Sequence, residues 1–176
     1  KNERVHSKGT FNVFKFRSMY TKYCTGKQFE KYTNQKEVLE YEKKLAEKQS
    51  ERHGPVYKIL KDPRRTKIGR FMEKSSLDEL PQLFNVFSGQ MSLVGPRPER
   101  PVFVEEFKKS IPFYMLRLKM KAGLTGWAQV NGWRGNTSLE KRIECDLYYI
   151  KNWSLLFDLK ILVMTIWKGL INRHAY

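Results

Sequence analysis

The sequence contains few residues that bind metals through nitrogen or sulfur. Its 176 residues include two cysteines and three histidines. Cys24 and Cys145 lie far apart and match no metal-ligand spacing, which argues against a zinc site and leaves reduced thiols in a cytosolic setting as the simplest interpretation. No secretory signal peptide is recognisable. Because the chain begins at Lys1 and not at a methionine, we expect a fragment that a membrane segment could precede.

Several signatures of nucleotide binding and catalysis are also missing. The sequence has no P-loop, no G-x-G-x-x-G fingerprint and no evident Ser-His-Asp arrangement. It shows no internal repeat and no low-complexity tract. The sequence therefore does not indicate P-loop or dinucleotide binding, or catalysis by a serine triad. If the protein is an enzyme that uses a nucleophile, another residue type must supply it.

A long uninterrupted apolar run is lacking as well. Residues 154–171 are very apolar but contain Asp158, Lys160 and Lys168, whereas a membrane-spanning helix needs ~20 apolar residues with few charges. Leucine and isoleucine recur there at helical spacing, and two tyrosines and a tryptophan precede them beside lysine. The pattern predicts either an interfacial helix over residues 146–173 or an ordinary core helix.

Acidic residues are scarce relative to basic ones. The chain has 34 lysines and arginines against 18 aspartates and glutamates, for a net charge of +16. Residues 30–52 hold equal numbers of both, so the excess lies elsewhere. Such a charge predicts a polyanionic partner, which could be nucleic acid, an anionic membrane surface or a phosphate-bearing substrate. Charge kept for solubility alone is the alternative.

The apolar patterns predict an α+β fold, mostly helical with a small β element. A length of 176 residues suits a single compact domain, and we expect it to carry amphipathic interfacial helices. Alternation over residues 9–19 predicts a strand. The pattern of residues 28–53 predicts a charged helical arm with a thin apolar stripe. The pattern of residues 101–120 predicts a further helix.

Two adjacent carboxylates, Asp78 and Glu79, lie in the otherwise uncharged stretch "SSLDELPQLFNVF". Ser76 and Glu79 fit a capping box at a helix start. If Asp78 is the cap instead, Pro81 falls inside the first turn, where its missing N–H costs little. The alternative is that the pair takes part in catalysis, because a carboxylate can attack phosphorus and its neighbour can hold a metal ion.

Phosphate chemistry also needs cations that neutralise developing charge. Arg97 lies between Pro96 and Pro98, which restrict its backbone, and the arginine fork can grip phosphate oxygens at two points. A second basic group precedes the carboxylate pair and comprises Arg64, Arg65, Lys67 and Arg70. We predict phosphate binding by Arg97 together with Arg64, Lys67 and Arg70, although each basic residue taken singly is typical of a solvated surface.

These motifs together resemble the bacterial sugar transferases, or monotopic phosphoglycosyl transferases, over nearly the whole chain. The resemblance rests, in the family's order, on "FNVFKFRSM", "DPRRTKIGRFM", "SSLDELPQLFNVFSGQMSLVGPRPE", "AGLTGWAQVNG" and "DLYYIKNWSLLFDLKIL". It implies that residues 1–176 are a cytosolic catalytic domain. The implied reaction transfers a hexose 1-phosphate from a UDP-sugar to undecaprenyl phosphate, releases UMP and begins exopolysaccharide, capsule or O-antigen synthesis.

The resemblance also implies roles for individual residues. Asp78 would carry a covalent phosphosugar, Glu79 would assist with the metal and the acceptor phosphate, and Arg97 would contact the donor phosphates. Asp78 and Glu79 are thus the candidate Mg²⁺ ligands. The family places this domain at the cytoplasmic face of the bacterial inner membrane, after an N-terminal re-entrant helix that this sequence does not contain; we expect the fragment itself to be soluble or peripheral.

Three positions depart from the family pattern: Gln90 replaces an acid, Ala122 a proline and His174 a glycine. A nucleic-acid-binding protein would explain the charge, and a membrane scaffold without catalysis would explain the terminal helix. Neither explains the carboxylate pair, and we expect no nucleic-acid partner. The sugar transferred, a homo-oligomeric state and the activity of the fragment stay open.

Overall fold

The computed structural model describes residues 3–6, 9–49, 59, 62–134 and 137–171. Within these ranges the chain is mostly helical with short strands, which confirms the predicted α+β class. It divides into two compact units, one formed by Phe16–Asp78 and the other by Asn2–Lys15 with Glu79–Tyr176. The assignment of residues 1–176 to one catalytic domain stays a prediction.

The first unit contains helix α1 (Gln35–Gln49) and helix α2 (Lys67–Ser75). Strong helix formers fill α1, and its apolar stripe buries Val38 and Leu45. Tyr41 of the same stripe stacks on Tyr23 with ring centroids 5.3 Å apart. The predicted helical arm over 28–53 is therefore present in the part from Gln35 to Gln49, and residues 50–53 lie outside the described part.

The carboxylate pair lies in a short 3₁₀ helix and not at the start of an α-helix. Thr66 is the residue that caps α2, because its hydroxyl accepts a hydrogen bond from the Gly69 N–H at 2.8 Å. Ser76 instead ends α2 in the left-handed conformation, with φ of 58°. A 3₁₀ turn over Leu77–Glu79 follows.

The second unit contains two small sheets. Strands β1 (Glu3–His6) and β2 (Gly9–Asn12) form an antiparallel hairpin, so the strand predicted over 9–19 ends at Asn12. Strands β3 (Ser92–Val94) and β4 (Gly123–Thr125) pair in parallel.

Two glycines allow the backbones after β3 and within β4 to approach closely. A Cβ atom on Gly123 would lie 2.2 Å from the Gly95 nitrogen, and one on Gly95 would lie 2.5 Å from the Lys121 carbonyl oxygen. Distances this short are steric clashes with main-chain atoms, which cannot rotate away. Only glycine therefore fits at both positions.

Five α-helices are found among the described residues of the second unit. They are α3 (Gln82–Phe87), α4 (Pro101–Ser110), α5 (Trp127–Val130), α6 (Leu139–Lys151) and α7 (Leu155–Ile171). Pro81 occupies the N-cap position of α3, where the absence of an N–H costs nothing. The helix predicted over 101–120 is interrupted after Ser110, because Phe113 adopts the left-handed conformation with φ of 59° and a 3₁₀ helix, Tyr114–Lys119, follows.

The single helix predicted over 146–173 is two helices that meet at a corner, and residues 172–173 lie outside the described part. The Asp158 carboxylate fastens this corner: it accepts hydrogen bonds from the Tyr149 hydroxyl at 2.7 Å and from the Trp153 indole N–H at 3.2 Å. Burial and this carboxylate raise the pKa of Tyr149. Among the described helices, none has the length and apolar character needed to span a bilayer.

The core of the second unit consists of three apolar clusters that join these elements. The first contains Phe11, Val13, Met91 and Ala122. The second contains Val94, Val130, Tyr149 and Ile161, and the third contains Val104, Tyr114 and Ile143. Ala122, one of the departures from the family pattern, is thus a core residue in contact with its cluster.

Candidate functional site

The Glu79 carboxylate is buried and contacts three cationic side chains within the second unit. Lys15 Nζ lies 2.8 Å from Oε1, Arg97 Nη2 lies 2.6 Å from Oε1, and Arg134 Nη2 lies 3.4 Å from Oε1. Arg97 also donates from Nη1 to Oε2 at 3.2 Å. We call these four residues the Glu79 cluster. Burial alone would raise the pKa of Glu79, but Arg97, Lys15 and Arg134 more than offset it and hold the pKa far below its usual value.

A buried asparagine positions the segment that carries Lys15. The Asn85 side chain accepts a hydrogen bond from the Phe14 N–H at 3.0 Å and donates to the Asn12 carbonyl at 2.8 Å. It also donates to Gln90 Oε1 at 2.7 Å. Gln90, the second departure from the family pattern, therefore has a structural partner, and the extended chain after β2 delivers Lys15 to Glu79.

The loop that follows β3 positions Arg97. Two main-chain hydrogen bonds fix this loop: Gly95 N–H donates to the Thr125 carbonyl at 2.9 Å, and Gly123 N–H donates to the Pro96 carbonyl at 2.9 Å. Pro96 is buried and precedes Arg97 directly. The fixed φ of the flanking prolines further limits the backbone of the loop. The main-chain position from which the Arg97 side chain extends is therefore fixed.

Asp78 is the last residue of the first unit and is joined to Glu79 by one peptide bond. Its side chain is buried, with 5% of the residue exposed. Its carbonyl accepts a hydrogen bond from the Phe16 N–H at 2.9 Å. The 3₁₀ turn over Leu77–Glu79 thus presents two carboxylates in succession, and both are shielded from bulk water.

The other predicted phosphate ligands, Arg64, Lys67 and Arg70, lie in the first unit. Arg64 is buried, and its guanidinium is bonded to Asp62 at 2.8 Å and to Glu42 at 3.2 Å. These two ion pairs hold the first unit together, and the phosphate-binding role of Arg64 stays a prediction. Lys67 and Arg70 are exposed on α2. Their role in phosphate binding stays a prediction.

The Glu79 carboxylate does not fit the magnesium ion that the family resemblance implies. Its two oxygens are already bonded to Lys15, Arg97 and Arg134, which would repel a dication. In the described part of the chain, no group of three or more histidine, cysteine, aspartate or glutamate side chains is placed to hold a metal. The metal role predicted for Asp78 and Glu79 is therefore not supported at Glu79.

The cluster is instead suited to an anionic ligand. Three cationic side chains converge on one carboxylate in a partly buried place. Arg97 also acts electrostatically on Arg4 and Arg142: burial lowers the pKa of both, the Glu99 carboxylate offsets part of this, and neighbouring cations that include Arg97 lower the pKa further. A diphosphate would neutralise this charge.

Sequence reasoning found Glu79 and Arg97 but missed Lys15 and Arg134. Lys15 stands in an alternating stretch that resembles a strand, and Arg134 follows a glycine-rich turn. Lys15 is 64 positions from Glu79 along the chain. No local pattern marks such a pair, because the fold alone brings the two side chains together.

The chain is also similar to known proteins. The sequence profile of the bacterial sugar transferases matches residues 1–172. The chain belongs to the bacterial sugar transferase family.

Three relatives of this bacterial sugar transferase are named for different sugars. A UDP-glucose:undecaprenyl-phosphate glucose-1-phosphate transferase of Escherichia coli (strain K12) is 54% identical over 119 residues, covering 65% of this chain and 26% of the relative. A UDP-N-acetylgalactosamine-undecaprenyl-phosphate N-acetylgalactosaminephosphotransferase of Aeromonas hydrophila is 47% identical over 119 residues, covering 66% and 28%. A UDP-galactose-lipid carrier transferase of Erwinia amylovora is 41% identical over 176 residues, covering 99% and 34%.

The chain thus spans between 26% and 34% of the length of these relatives.

Proposed function

We propose that this bacterial sugar transferase is an enzyme that moves a sugar 1-phosphate from a UDP-sugar to undecaprenyl phosphate and releases UMP. The observation that carries the proposal is the Glu79 cluster, a buried carboxylate held by Lys15, Arg97 and Arg134 directly after Asp78. Both substrates carry phosphates, and the cluster brings together three cationic side chains of the kind that phosphate chemistry requires. The names of the relatives supply the two substrate classes.

Glu79 acts in this proposal as the anion that gathers the cations before the donor arrives. Three cationic groups close to one another repel, and the Glu79 carboxylate reduces that repulsion. Arg97 uses two of its donor positions on Glu79. A guanidinium has five N–H donors in a planar fork, which matches the geometry of diphosphate oxygens.

Asp78 is the nucleophile in this proposal. A carboxylate oxygen attacks the phosphorus that bears the sugar, the bond from that phosphorus to UMP breaks, and UMP leaves as an anion in the positive field. An oxygen of undecaprenyl phosphate then attacks the same phosphorus. The aspartyl bond breaks, the product is undecaprenyl diphosphate-sugar, and the Asp78 carboxylate is regenerated.

The membrane-facing part of the proposal rests on α7. Six of its apolar side chains are between 58% and 78% exposed, namely Leu155, Leu156, Leu159, Val163, Ile166 and Trp167. Such an apolar face on a basic protein is typical of a helix lying in the surface of an anionic bilayer. We place the reaction at the cytoplasmic face of the bacterial inner membrane, as the first membrane step of exopolysaccharide, capsule or O-antigen synthesis.

The test is to assay the full-length protein with undecaprenyl phosphate and a panel of UDP-glucose, UDP-galactose and UDP-N-acetylgalactosamine. We expect UMP release with at least one donor and a protein adduct, heavier by one phosphosugar, when the acceptor is omitted. Absence of UMP with every donor from a folded protein would refute the transferase. UMP release that requires the acceptor and leaves no adduct would refute the covalent step alone.

A further inference from the structure

Arg117 has a fully buried guanidinium in the second unit. It lies in the 3₁₀ helix Tyr114–Lys119, and 1% of the residue is exposed. Its Nε donates to Asp146 Oδ2 at 2.9 Å, and its Nη2 lies 2.7 Å from the same oxygen. Burial alone would lower the pKa of Arg117, but the Asp146 carboxylate raises it above its ordinary value. The pair is therefore an ion pair inside the core.

A third contact of Arg117 reaches the loop of the Glu79 cluster. Its Nη2 donates a hydrogen bond to the main-chain carbonyl of Arg97 at 2.9 Å. The Tyr114 hydroxyl lies 3.3 Å from Nη1. One buried cation thus links Asp146 on α6 to the backbone of the residue that grips Glu79.

Stability alone is a poor explanation for this arrangement. Removing two charges from water costs free energy that their attraction does not reliably repay, and apolar residues of similar volume often stabilise a core better. The bond to the Arg97 carbonyl gives the pair a specific task. A charged donor on a main-chain carbonyl fixes the backbone at that point, whereas apolar packing would leave it free to rotate.

We propose that Arg117, held in place by Asp146, is a positioning residue that sets the backbone of Arg97 for its grip on the donor diphosphate. This inference rests on the proposed function, because it assigns the diphosphate to Arg97. Arg117 touches no ligand itself. It acts only through the position of the Arg97 guanidinium.

The proposal predicts that the effects of Arg117 and Arg97 on UDP affinity are not additive. A double-mutant cycle measures this coupling. The affinity for UDP is measured by calorimetry on the full-length protein as wild type, Arg117→Lys, Arg97→Lys and the double variant. We expect each single change to weaken UDP binding about tenfold, and the double variant to be no weaker than Arg97→Lys by more than about twofold. The proposal would be overturned if Arg117→Lys weakened UDP binding by the same factor in the wild-type protein and in the Arg97→Lys protein. That result is expected if Arg117 only stabilises the fold.

Tyr114→Phe is the matched control. It removes a contact of the same buried guanidinium, keeps the ring in the core and leaves the bond to the Arg97 carbonyl intact. We expect unchanged UDP affinity from this variant. A loss equal to that of Arg117→Lys would show that any disturbance of the network has the same effect, and would overturn the positioning role.

A second variant covers the case in which Arg117→Lys does not fold, as judged by circular dichroism. Asp146→Asn keeps the shape of the side chain and an acceptor for Arg117 but removes the charge that holds it. We expect a smaller loss of UDP affinity that disappears in the Arg97→Lys background. Unchanged affinity in a folded Asp146→Asn protein would overturn the proposal.

UDP binding and UMP release separate this inference from the proposed function. If the wild-type protein binds UDP but releases no UMP from any donor, the transferase proposal fails while the cycle still decides the role of Arg117. If UMP is released and the cycle shows independent losses, the transferase stands and the positioning role falls.

Discussion

Arg97 donates hydrogen bonds to both carboxylate oxygens of Glu79, at 3.2 Å from Nη1 and 2.6 Å from Nη2. This two-pronged contact uses the planar fork of the guanidinium, which an ammonium group cannot reproduce. The grip on Glu79 also sets the plane in which the remaining N–H groups of Arg97 point. The pair is therefore the part of the site where a conservative substitution should be most harmful.

We expect Arg97→Lys to lower kcat/KM for the UDP-sugar by about 10- to 100-fold, because a point charge keeps the sign but loses the fork. The measurement is UMP release over a range of donor concentrations. Arg100→Lys is the control: Arg100 lies in the same loop, with its guanidinium 5.0 Å from the Phe103 ring centroid, and should change kcat/KM by less than about twofold. An Arg97→Lys enzyme as efficient as wild type would show that the guanidinium fork has no part in binding the donor.

The depressed pKa of Glu79 predicts a pH-dependent contribution to stability. A carboxylate whose pKa is lowered on folding stabilises the protein above its unfolded pKa of about 4.3, and this contribution is lost as the pH falls toward the folded pKa. We expect Glu79→Gln to lower the free energy of unfolding by about 3 kcal/mol at pH 7, because three cations lose their anion.

The difference between wild type and Glu79→Gln should shrink as the pH falls below about 4. Urea unfolding at pH 7, 5, 4 and 3 measures it. Glu106→Gln, a change at an exposed position of α4, should leave the free energy of unfolding unchanged throughout. A difference that is constant from pH 7 to pH 3 would mean that Glu79 does not contribute through its charge.

Asp78→Asn should abolish transfer while the fold is kept. The amide has the shape of the carboxylate but is no nucleophile, and losing a nucleophile normally costs at least about a thousandfold in rate. UMP release and the mass of the protein after incubation with donor are measured together, with circular dichroism as the test of folding. Activity above about a tenth of wild type, or a phosphosugar adduct on the variant, would rule out the covalent role.

The exposed face of α7 predicts membrane binding that depends on single apolar side chains. Val163→Ser should lower the affinity of the protein for vesicles containing anionic lipid by up to about tenfold. This factor corresponds to the free energy of transferring one valine side chain out of water. Flotation of the 176-residue chain measures the bound fraction. We expect binding to weaken as salt rises, since part of it is electrostatic.

Val102→Ser is the matched control for α7. Val163 is 59% exposed and Val102 is 63% exposed, but Val102 stands on α4 without exposed apolar neighbours on that helix. We expect the control to bind vesicles as wild type does. Equal behaviour of the two variants, or no binding of the wild-type chain at low salt, would show that the α7 face has another purpose.

Local patterns predicted the elements better than their junctions. Spacing alone identified α7 and the helical part of the charged arm. It did not anticipate Ser76, which ends α2 in the left-handed conformation and is followed by a 3₁₀ helix instead of an α-helix. It failed also at Phe113, because a left-handed conformation is uncommon for any residue other than glycine and local propensity does not predict it there.

Charges were harder to interpret than apolar residues. Asp158 and Lys160 were read as interruptions of an apolar run, yet Asp158 binds Tyr149 and Trp153, and the Lys160 ammonium lies 5.5 Å from the Trp127 ring centroid. The predicted phosphate ligand Arg64 forms ion pairs with Asp62 and Glu42 inside its own unit, and the sequence pattern indicated neither pair. A basic residue in a sequence shows its charge and not its partner, and partners distant along the chain decide its role.

The close approach of Gly95 and Gly123 has a consequence for mutational scanning. In a library that randomises one codon at a time, both positions should accept glycine alone, because any side chain would meet a main-chain atom within 2.5 Å. They would then score like positions that touch the substrate, although neither has a side chain to offer. Intolerance there would report the path of the main chain that leads into Arg97, and a search for missing chemistry at these two positions would find none.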